Sequence, residues 1–455
     1  MQTSESKKVK KIWIAMSTPF QANFFAPLIK ELEGEFEFVV TAREHDGIFS
    51  ILRAKRINYM PVGRHGGREL DSKLEAYAQT IQEMLPIVQR EKPDLLLTER
   101  WPEAVRVAFG LNIPAWAIFY DERETHVNQM VFPLASKVFA PRFYSLDEMY
   151  KHGVTDPDKV VWFNGFHTCY LKDEHAQPGN PFSKMGIKGP IVFVRPEPEF
   201  ASFFPNHRPI LEDSVEIMAR NGRASIVVLP RTDIQKTRYS QMRNVTVLQS
   251  SMFDSPVAHA DVTVGAAETM LMEAFVLGRP SVSAIYWQES KPVTELHRYI
   301  AHSTDPAQIA SYAEELLEEP ARKSFMTKAS LLVKTMDNPV RLMIDEIRHM
   351  NEDEKEKTSY GSYGRRSRME ILLDIIQAAS LRPLRPTQIM RTANISYNDL
   401  KRIVANLESS GLLSIEETFN GKLYQTTEEG LRLLEDYRGL RQRLFAEATR
   451  GVPLE

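Results

Sequence analysis

Residues 260–283 read Ala260-Asp-Val-Thr-Val-Gly-Ala-Ala-Glu-Thr-Met-Leu-Met-Glu-Ala-Phe-Val-Leu-Gly-Arg-Pro-Ser-Val-Ser283. Asp261-Val-Thr-Val264 reads as a short buried strand. It ends at Gly265, where small residues turn the chain. A helix is expected to start near Glu268 or Thr269 and to end at Gly278, with Pro280 leading into a further strand at Ser281–Ile285. Strand, turn, helix and strand in this order form one unit of a parallel sheet. The exposed amides and dipole of such a helix can hold a diphosphate. Glu273 falls one turn beyond Thr269, where a carboxylate can accept hydrogen bonds from ribose hydroxyls.

The same alternation extends in both directions. Upstream runs at Ile191–Val194, Ser225–Leu229 and Val245–Leu248 belong to the same sheet. Helices are expected at Pro306–Glu318 and about Ala321–Met350. Further upstream the pattern occurs a second time. Strand runs fall at Ile12–Met16, Phe36–Thr41, Asn58–Val62, Asp94–Thr98, Ala115–Phe119 and Lys137–Ala140. Helices are expected around Phe24–Leu32, Ser72–Arg90 and Pro102–Gly110. The fold class is therefore α/β, with two Rossmann-like lobes whose ligand cleft lies at the C-terminal ends of the strands. The expected boundaries are 1–172 for the first lobe, 173–350 for the second and nucleotide-binding lobe, 351–364 for a polar linker and 365–455 for a further domain.

That last domain reads as a winged helix-turn-helix. Met369–Ile376 gives an amphipathic helix, and Pro386 opens a second. Ala393–Ile395 makes the turn, and Tyr397–Ser409 is a third helix with Leu400, Ile403, Val404 and Leu407 inward. Leu412–Ile415 and Lys422–Gln425 are strands around Phe419-Asn-Gly421, whose Asn-Gly signals a hairpin. In such a fold the third helix enters the major groove of DNA. Its outward residues would be Tyr397, Asn398, Lys401, Arg402 and Asn406, with Lys422 on the wing. Arg365–Arg402 is locally basic on a chain of net charge −3, a hint of a polyanion partner. Glu416 and Glu417 on the wing oppose phosphate, and a protein partner is the competing reading. Leu431, Leu434, Tyr437 and Leu444 on the final helix make a homodimer contact plausible.

Composition bounds the rest. Hydrophobic residues make up 43% and charged residues 26% of 455, as in an ordinary globular protein. The one cysteine, Cys169, forms no intramolecular disulfide and no zinc site by itself, which fits a reducing compartment. No stretch reaches the ~20 apolar residues of a membrane span. A cytoplasmic location is expected. There is no His-Glu-x-x-His, no P-loop and no Gly-x-Ser-x-Gly, so neither a metal nor a tightly bound cofactor is expected.

Several of these features, taken in order, resemble the GT-B superfamily of glycosyltransferases and sugar-nucleotide 2-epimerases. They are Lys11-Ile-Trp-Ile-Ala15, Phe24–Ile29, Val40-Thr-Ala-Arg43, Gly63-Arg-His-Gly-Gly67, Pro102–Gly110 and Ala260–Ser283. Over about residues 10–345 the chain is similar to an archaeal family, domain of unknown function 354. The run Gly411-Leu-Leu-Ser-Ile…Tyr424-Gln-Thr-Thr-Glu-Glu-Gly430 resembles archaeal winged-helix domains. The resemblance implies a nucleotide-sugar in the cleft, UDP-sugars being one candidate, and sugar transfer or epimerisation. By motif, Gly265, Ala267, Glu268 and Thr269 would surround the phosphates and Glu273 the ribose. Arg195 would neutralise the diphosphate, and Arg231 would meet base or phosphate. In the first lobe, Ser17, Thr18, His65, Gly66, Gly67 and Glu103 are expected at the cleft, with His65 and Glu103 the acid/base candidates. Arg195 could instead pair with Glu197 or Glu199. Asp121-Glu-Arg-Glu124 reads as a surface charge cluster. A carboxylate at Glu268 beside a diphosphate is repulsive unless a cation intervenes. That departure leaves a metabolite-sensing transcriptional regulator as the alternative to an enzyme.

Overall fold

A computed structural model describes residues 10–45, 47–67, 69–173, 179–199, 209–248, 256–287, 289–359, 368–381, 383–393, 397–418 and 421–437. In the first lobe, β1 (Lys11–Met16), β2 (Glu37–Ala42), β3 (Met60–Pro61), β4 (Leu95–Thr98), β5 (Ala115–Ile118), β6 (Lys137–Pro141) and β7 (Val160–Phe163) form one parallel sheet of order β3-β2-β1-β4-β5-β6-β7. In the second, β8 (Ile191–Arg195), β9 (Ser225–Val228), β10 (Val245–Val247), β11 (Val262–Gly265), β12 (Ser281–Ser283) and β13 (Ala301–His302) are ordered β10-β9-β8-β11-β12-β13. Counted within each lobe, both follow 3-2-1-4-5-6, the doubly wound Rossmann order, and the first adds a seventh strand beside the sixth. The order reverses between β1 and β4, and again between β8 and β11. A ligand crevice belongs at each reversal, beyond the strands' C-terminal ends.

Burial on both faces explains the continuous apolar runs. Along β1, Ile12, Ile14 and Met16 pack into one core layer with Leu95, Leu97 and Trp116. Trp13 and Ala15 face the other layer, with Leu96, Ala115 and Ala117. The strand β7, Val-Val-Trp-Phe, is absent from the sequence expectations, as is the two-residue β13.

Proline marks several helix starts, at Pro19, Pro102, Pro181 and Pro306, where its missing N–H costs nothing. The long helix expected over about 321–350 is two helices, Glu319–Lys334 and Pro339–Ser359. The break falls at Met336-Asp-Asn338, where the chain crosses back from the second lobe. Beyond it, Val340, Met343, Ile344 and Ile347 complete the first lobe's core. The expected linker is also helical as far as Ser359; its Glu and Lys residues are good helix formers as well as marks of an unburied segment.

Two crossings between the lobes lie side by side. Asn164 N–H donates to Asp337 Oδ2 at 2.7 Å, and Asp337 N–H donates to Asn164 O at 2.7 Å. Gly165 takes φ +107°, and a Cβ there would lie 2.8 Å from Met336 Cβ. Only glycine allows so close a passage.

The C-terminal unit has its own core. Helices Arg368–Leu381, Pro386–Ala393 and Tyr397–Ser409 pack on a hairpin of β14 (Leu413–Thr418) and β15 (Gly421–Thr426). Ile375, Ile376, Ile389, Leu400, Ile403, Val404, Leu407 and Leu413 are buried together. The anticipated inward face of the third helix is thus the observed one. Thr418 pairs with Gly421, so Gly421, expected in the turn, already belongs to the strand. A last helix spans 428–437. Leu444 lies outside the described residues. Among the described residues no helix is long and apolar enough to cross a membrane.

Candidate functional site

The second lobe supplies a helix N-terminus at its strand-order reversal. Gly265 ends β11 beside the end of β8, and Ala266 N–H donates to Arg195 O at 3.1 Å. The helix Glu268–Val276 follows, with Ala267 as an N-cap that provides no side-chain bond. No described hydrogen bond leaves the amides of Glu268, Thr269 and Met270. These are the donors that receive an anion at such a terminus. Glu273, one turn further on, is half-buried, and no described hydrogen bond or ion pair reaches its carboxylate. Burial alone pushes its carboxyl up to about 7.

The two arginines expected at the phosphates serve the lobe's framework in this structure. Arg195 Nη1 donates to Leu229 O at 2.9 Å and Pro230 O at 3.0 Å. Arg231 Nε donates to Pro196 O at 3.0 Å. These three bonds tie the end of β8 to the end of β9. Glu199 pairs with Arg238, and buried Glu197 accepts the amides of Ile210 and Leu211 at the start of helix Leu211–Asn221.

The cation beside Glu268 comes from the other lobe. Arg123 meets Glu268 bidentately, Nη1 to Oε1 at 2.8 Å and Nη2 to Oε2 at 3.0 Å. The same guanidinium holds Asp121, and Glu268 also accepts from Ser290 Oγ at 3.0 Å. Next in sequence, Glu122 accepts the amide of Lys291 at 2.7 Å, while Lys291 Nζ pairs with Glu148. Asp121-Glu-Arg-Glu124 is therefore not a solvated surface cluster. It is the loop through which the first lobe grips the starts of two second-lobe helices. Bidentate carboxylate–guanidinium pairs are among the stronger charge-assisted contacts.

In the first lobe, polar groups gather where β1, β4 and β5 end. Glu99, 3% exposed, accepts from Gln21 Nε2 through Oε2, and Gln21 Oε1 accepts the amide of Ser17. Glu99 Oε1 makes no hydrogen bond of ordinary geometry among the described residues, although the Tyr120 hydroxyl lies close enough to interact with this carboxylate. Burial raises its carboxyl against the opposing pull of Arg100. Arg100 lies over the Tyr120 ring at 4.2 Å and pairs with Glu124 at 3.4 Å. Tyr120 stacks on His167 at 4.4 Å, and burial lowers His167 to about 3, so its imidazole is neutral at ordinary pH. Thr18 Oγ1 is a further buried atom without a described partner.

Glu103 is 6% exposed, with Arg43 Nη1 at 3.8 Å and the Arg43 guanidinium over Trp101. Burial raises this carboxyl too, against its own amide and Arg43. His65 lies elsewhere. It is exposed, stacks on His45 at 4.8 Å, and its Nδ1 accepts from Gly67 N–H. Gly66 presses so closely on the helix Leu70–Glu91 that a Cβ would meet Lys73 Cα at 2.5 Å. Glu99 was absent from the sequence reading. The signal for it was a carboxylate immediately after the short strand Leu-Leu-Leu-Thr, at the C-terminal end of the strand beside the reversal.

In the winged helix, Lys401, Arg402 and Asn406 are exposed on the third helix. The side chains of Tyr397 and Asn398 lie outside the described residues. Lys422 pairs with Glu417 across the hairpin at 3.0 Å, which reduces the positive charge that the wing can offer.

Residues 10–352 match the model of a family described as Protein of unknown function (DUF354). The chain belongs to that family. Residues 365–444 match a winged helix-turn-helix model. An uncharacterised protein of Methanocaldococcus jannaschii is 28% identical over 326 residues, covering 67% of this chain and 91% of that protein. Among solved structures, the UDP complex of MnaA from S. aureus has a TM-score of 0.57 at 17% identity, covering 75% of this chain and 96% of its own. The UDP-GlcNAc 2-epimerase of M. jannaschii, in complex with UDP-GlcNAc and UDP, has a TM-score of 0.53 at 12% identity, covering 77% and 100%. A glycosyltransferase, VinC, crystallised with DTDP, reaches 0.50 at 12% identity, covering 76% and 100%. At these identities the likeness is one of fold. The DUF354 body is GT-B-like, and a winged helix follows it.

Proposed function

We propose that the DUF354 body binds a nucleotide-sugar between its lobes and catalyses cleavage of the sugar–diphosphate bond, as a glycosyltransferase or sugar-nucleotide epimerase. Glu273 carries this reading. It is a half-buried carboxylate without a described partner, one turn inside a helix whose first amides are open. Two ribose hydroxyls can donate to such a carboxylate while a diphosphate accepts from the amides. Solved proteins of the same fold carry UDP and UDP-GlcNAc by their descriptions, which supports the same ligand class.

In the first lobe, Glu99 and Glu103 would handle protons. A carboxyl raised by burial holds its proton more readily than an exposed one and can exchange it with a sugar hydroxyl or a ring carbon's hydrogen. Glu99, buried just past the end of β4 beside the strand-order reversal, is the better placed for a substrate contact. His65, in an exposed loop, is the weaker candidate. Helix amides would stabilise the departing diphosphate.

Calorimetry of the full chain against UDP, other nucleoside diphosphates and UDP-GlcNAc, with NMR of the products, tests the reading. Glu273→Gln should weaken UDP binding by about tenfold, the loss of one charge-assisted bond. Failure of every nucleoside diphosphate to bind the native chain and its variants would end this reading.

A sensor without turnover is the second reading, favoured by the bidentate Arg123–Glu268 contact at the proposed phosphate position. The winged helix would then report ligand occupancy to DNA. Binding without any product identifies this case.

A further inference from the structure

We propose that Glu268 is a specificity-determining residue that competes with a nucleoside diphosphate for Arg123, so that the ligand must take this arginine from Glu268 to be seated. The inference rests on reading the start of helix Glu268–Val276 as the phosphate position.

The observations are geometric. Glu268 is the first residue of that helix, and its carboxylate lies in the shell where a bound anion would be. Arg123 holds it from the other lobe through two bonds of 2.8 and 3.0 Å. Arg123 also grips Asp121, so one guanidinium serves two carboxylates. Lys291, the next cation at this end of the lobe, is held by Glu148. Arg195 and Arg231 are bonded to backbone carbonyls. The cations that would neutralise a diphosphate are thus engaged with internal acceptors. The amides of Glu268, Thr269 and Met270 nevertheless carry no described bond.

A diphosphate added here brings negative charge beside Glu268 and Asp121. Like charges a few ångströms apart at a half-buried site repel substantially. Moving Arg123 from Glu268 to the ligand reduces that repulsion and leaves Glu268 with the hydroxyl of Ser290. The first lobe's grip through Arg123 is then replaced by a grip through the ligand, while Glu122 keeps the Lys291 amide.

UDP binding to the full chain, measured by calorimetry at low salt, separates the possibilities. Glu268→Gln keeps the shape and the Ser290 contact but removes the charge. It should bind UDP about tenfold tighter or more. Arg123→Gln should weaken binding, and Glu268→Gln in that background should tighten it much less. Glu268→Ala is the second variant should the amide form fold poorly. Native and Glu268→Gln chains with equal UDP affinity would overturn the proposal, as would an undiminished gain without Arg123. Absence of nucleoside diphosphate binding in both native and Glu268→Gln chains refutes the nucleotide reading itself and this inference with it. Binding by Glu268→Gln alone supports both.

Discussion

Burial pushes the Glu273 carboxyl up to about 7, with no ion pair or hydrogen bond among the described residues to oppose it. Its folded value lies above its unfolded one, so the folded chain binds the proton more tightly. Stability attributable to this group is therefore full below about pH 4.5 and declines as pH rises toward 7. Glu273→Gln should remove that decline, seen as a smaller loss of Tm between pH 5 and 7.5 than in the native chain. Ligand affinity should move the other way, because ribose hydroxyls donate to the ionised form. UDP should bind more tightly at pH 8 than at pH 6, and Glu273→Gln should show a flat profile. At this scale, Glu273 was legible because strand, turn and helix are local in sequence. The partner of Glu268 was not, since Arg123 stands 145 residues away in the other lobe. A charge cluster such as Asp121–Glu124 looks the same in sequence whether water or another lobe faces it.

Among the elements, strands were legible where they are buried on both faces, because few polar residues other than small Ser and Thr interrupt them. Strand β13 has two residues, too few for any periodicity. The split at Met336–Asn338 was passed over because amphipathic helices flank it on both sides. The third helix of the C-terminal unit was legible face by face. With Leu400, Ile403, Val404 and Leu407 inward, Lys401, Arg402 and Asn406 must point out. If this helix reads DNA, Lys401→Ala with Arg402→Ala should weaken binding at every sequence. The slope of log affinity on log salt should fall by about 2, one for each lost phosphate contact. A filter-binding or anisotropy titration across salt concentrations measures this. An unchanged slope assigns the face to a protein partner.

For the whole molecule, the packing of Val340, Met343, Ile344 and Ile347 into the first lobe's core is decisive. Periodicity showed an amphipathic helix there, yet a helix's own pattern does not name the surface it covers. Met343 is fully buried, so Met343→Ala should cost about 2–5 kcal/mol. Truncation after Asp337 should lower the body's Tm further and expose apolar surface to a dye, whereas truncation after Ser359 keeps this helix and should leave that surface covered. Circular dichroism with dye binding distinguishes the two. The strand orders of both lobes follow from connectivity rules, which is why the architecture was readable while the contacts between lobes were not.

The returning helix also sets a schedule for synthesis. The first lobe's sheet leaves the ribosome early, but the residues that close one of its faces are translated more than 170 positions after β7 ends at Phe163. At ~5–20 residues per second, the part of that face which this helix covers stays open for about ten seconds or more. The nascent chain must therefore cross an interval of aggregation risk before its fold can close, and a chaperone holding the first lobe would act within that interval.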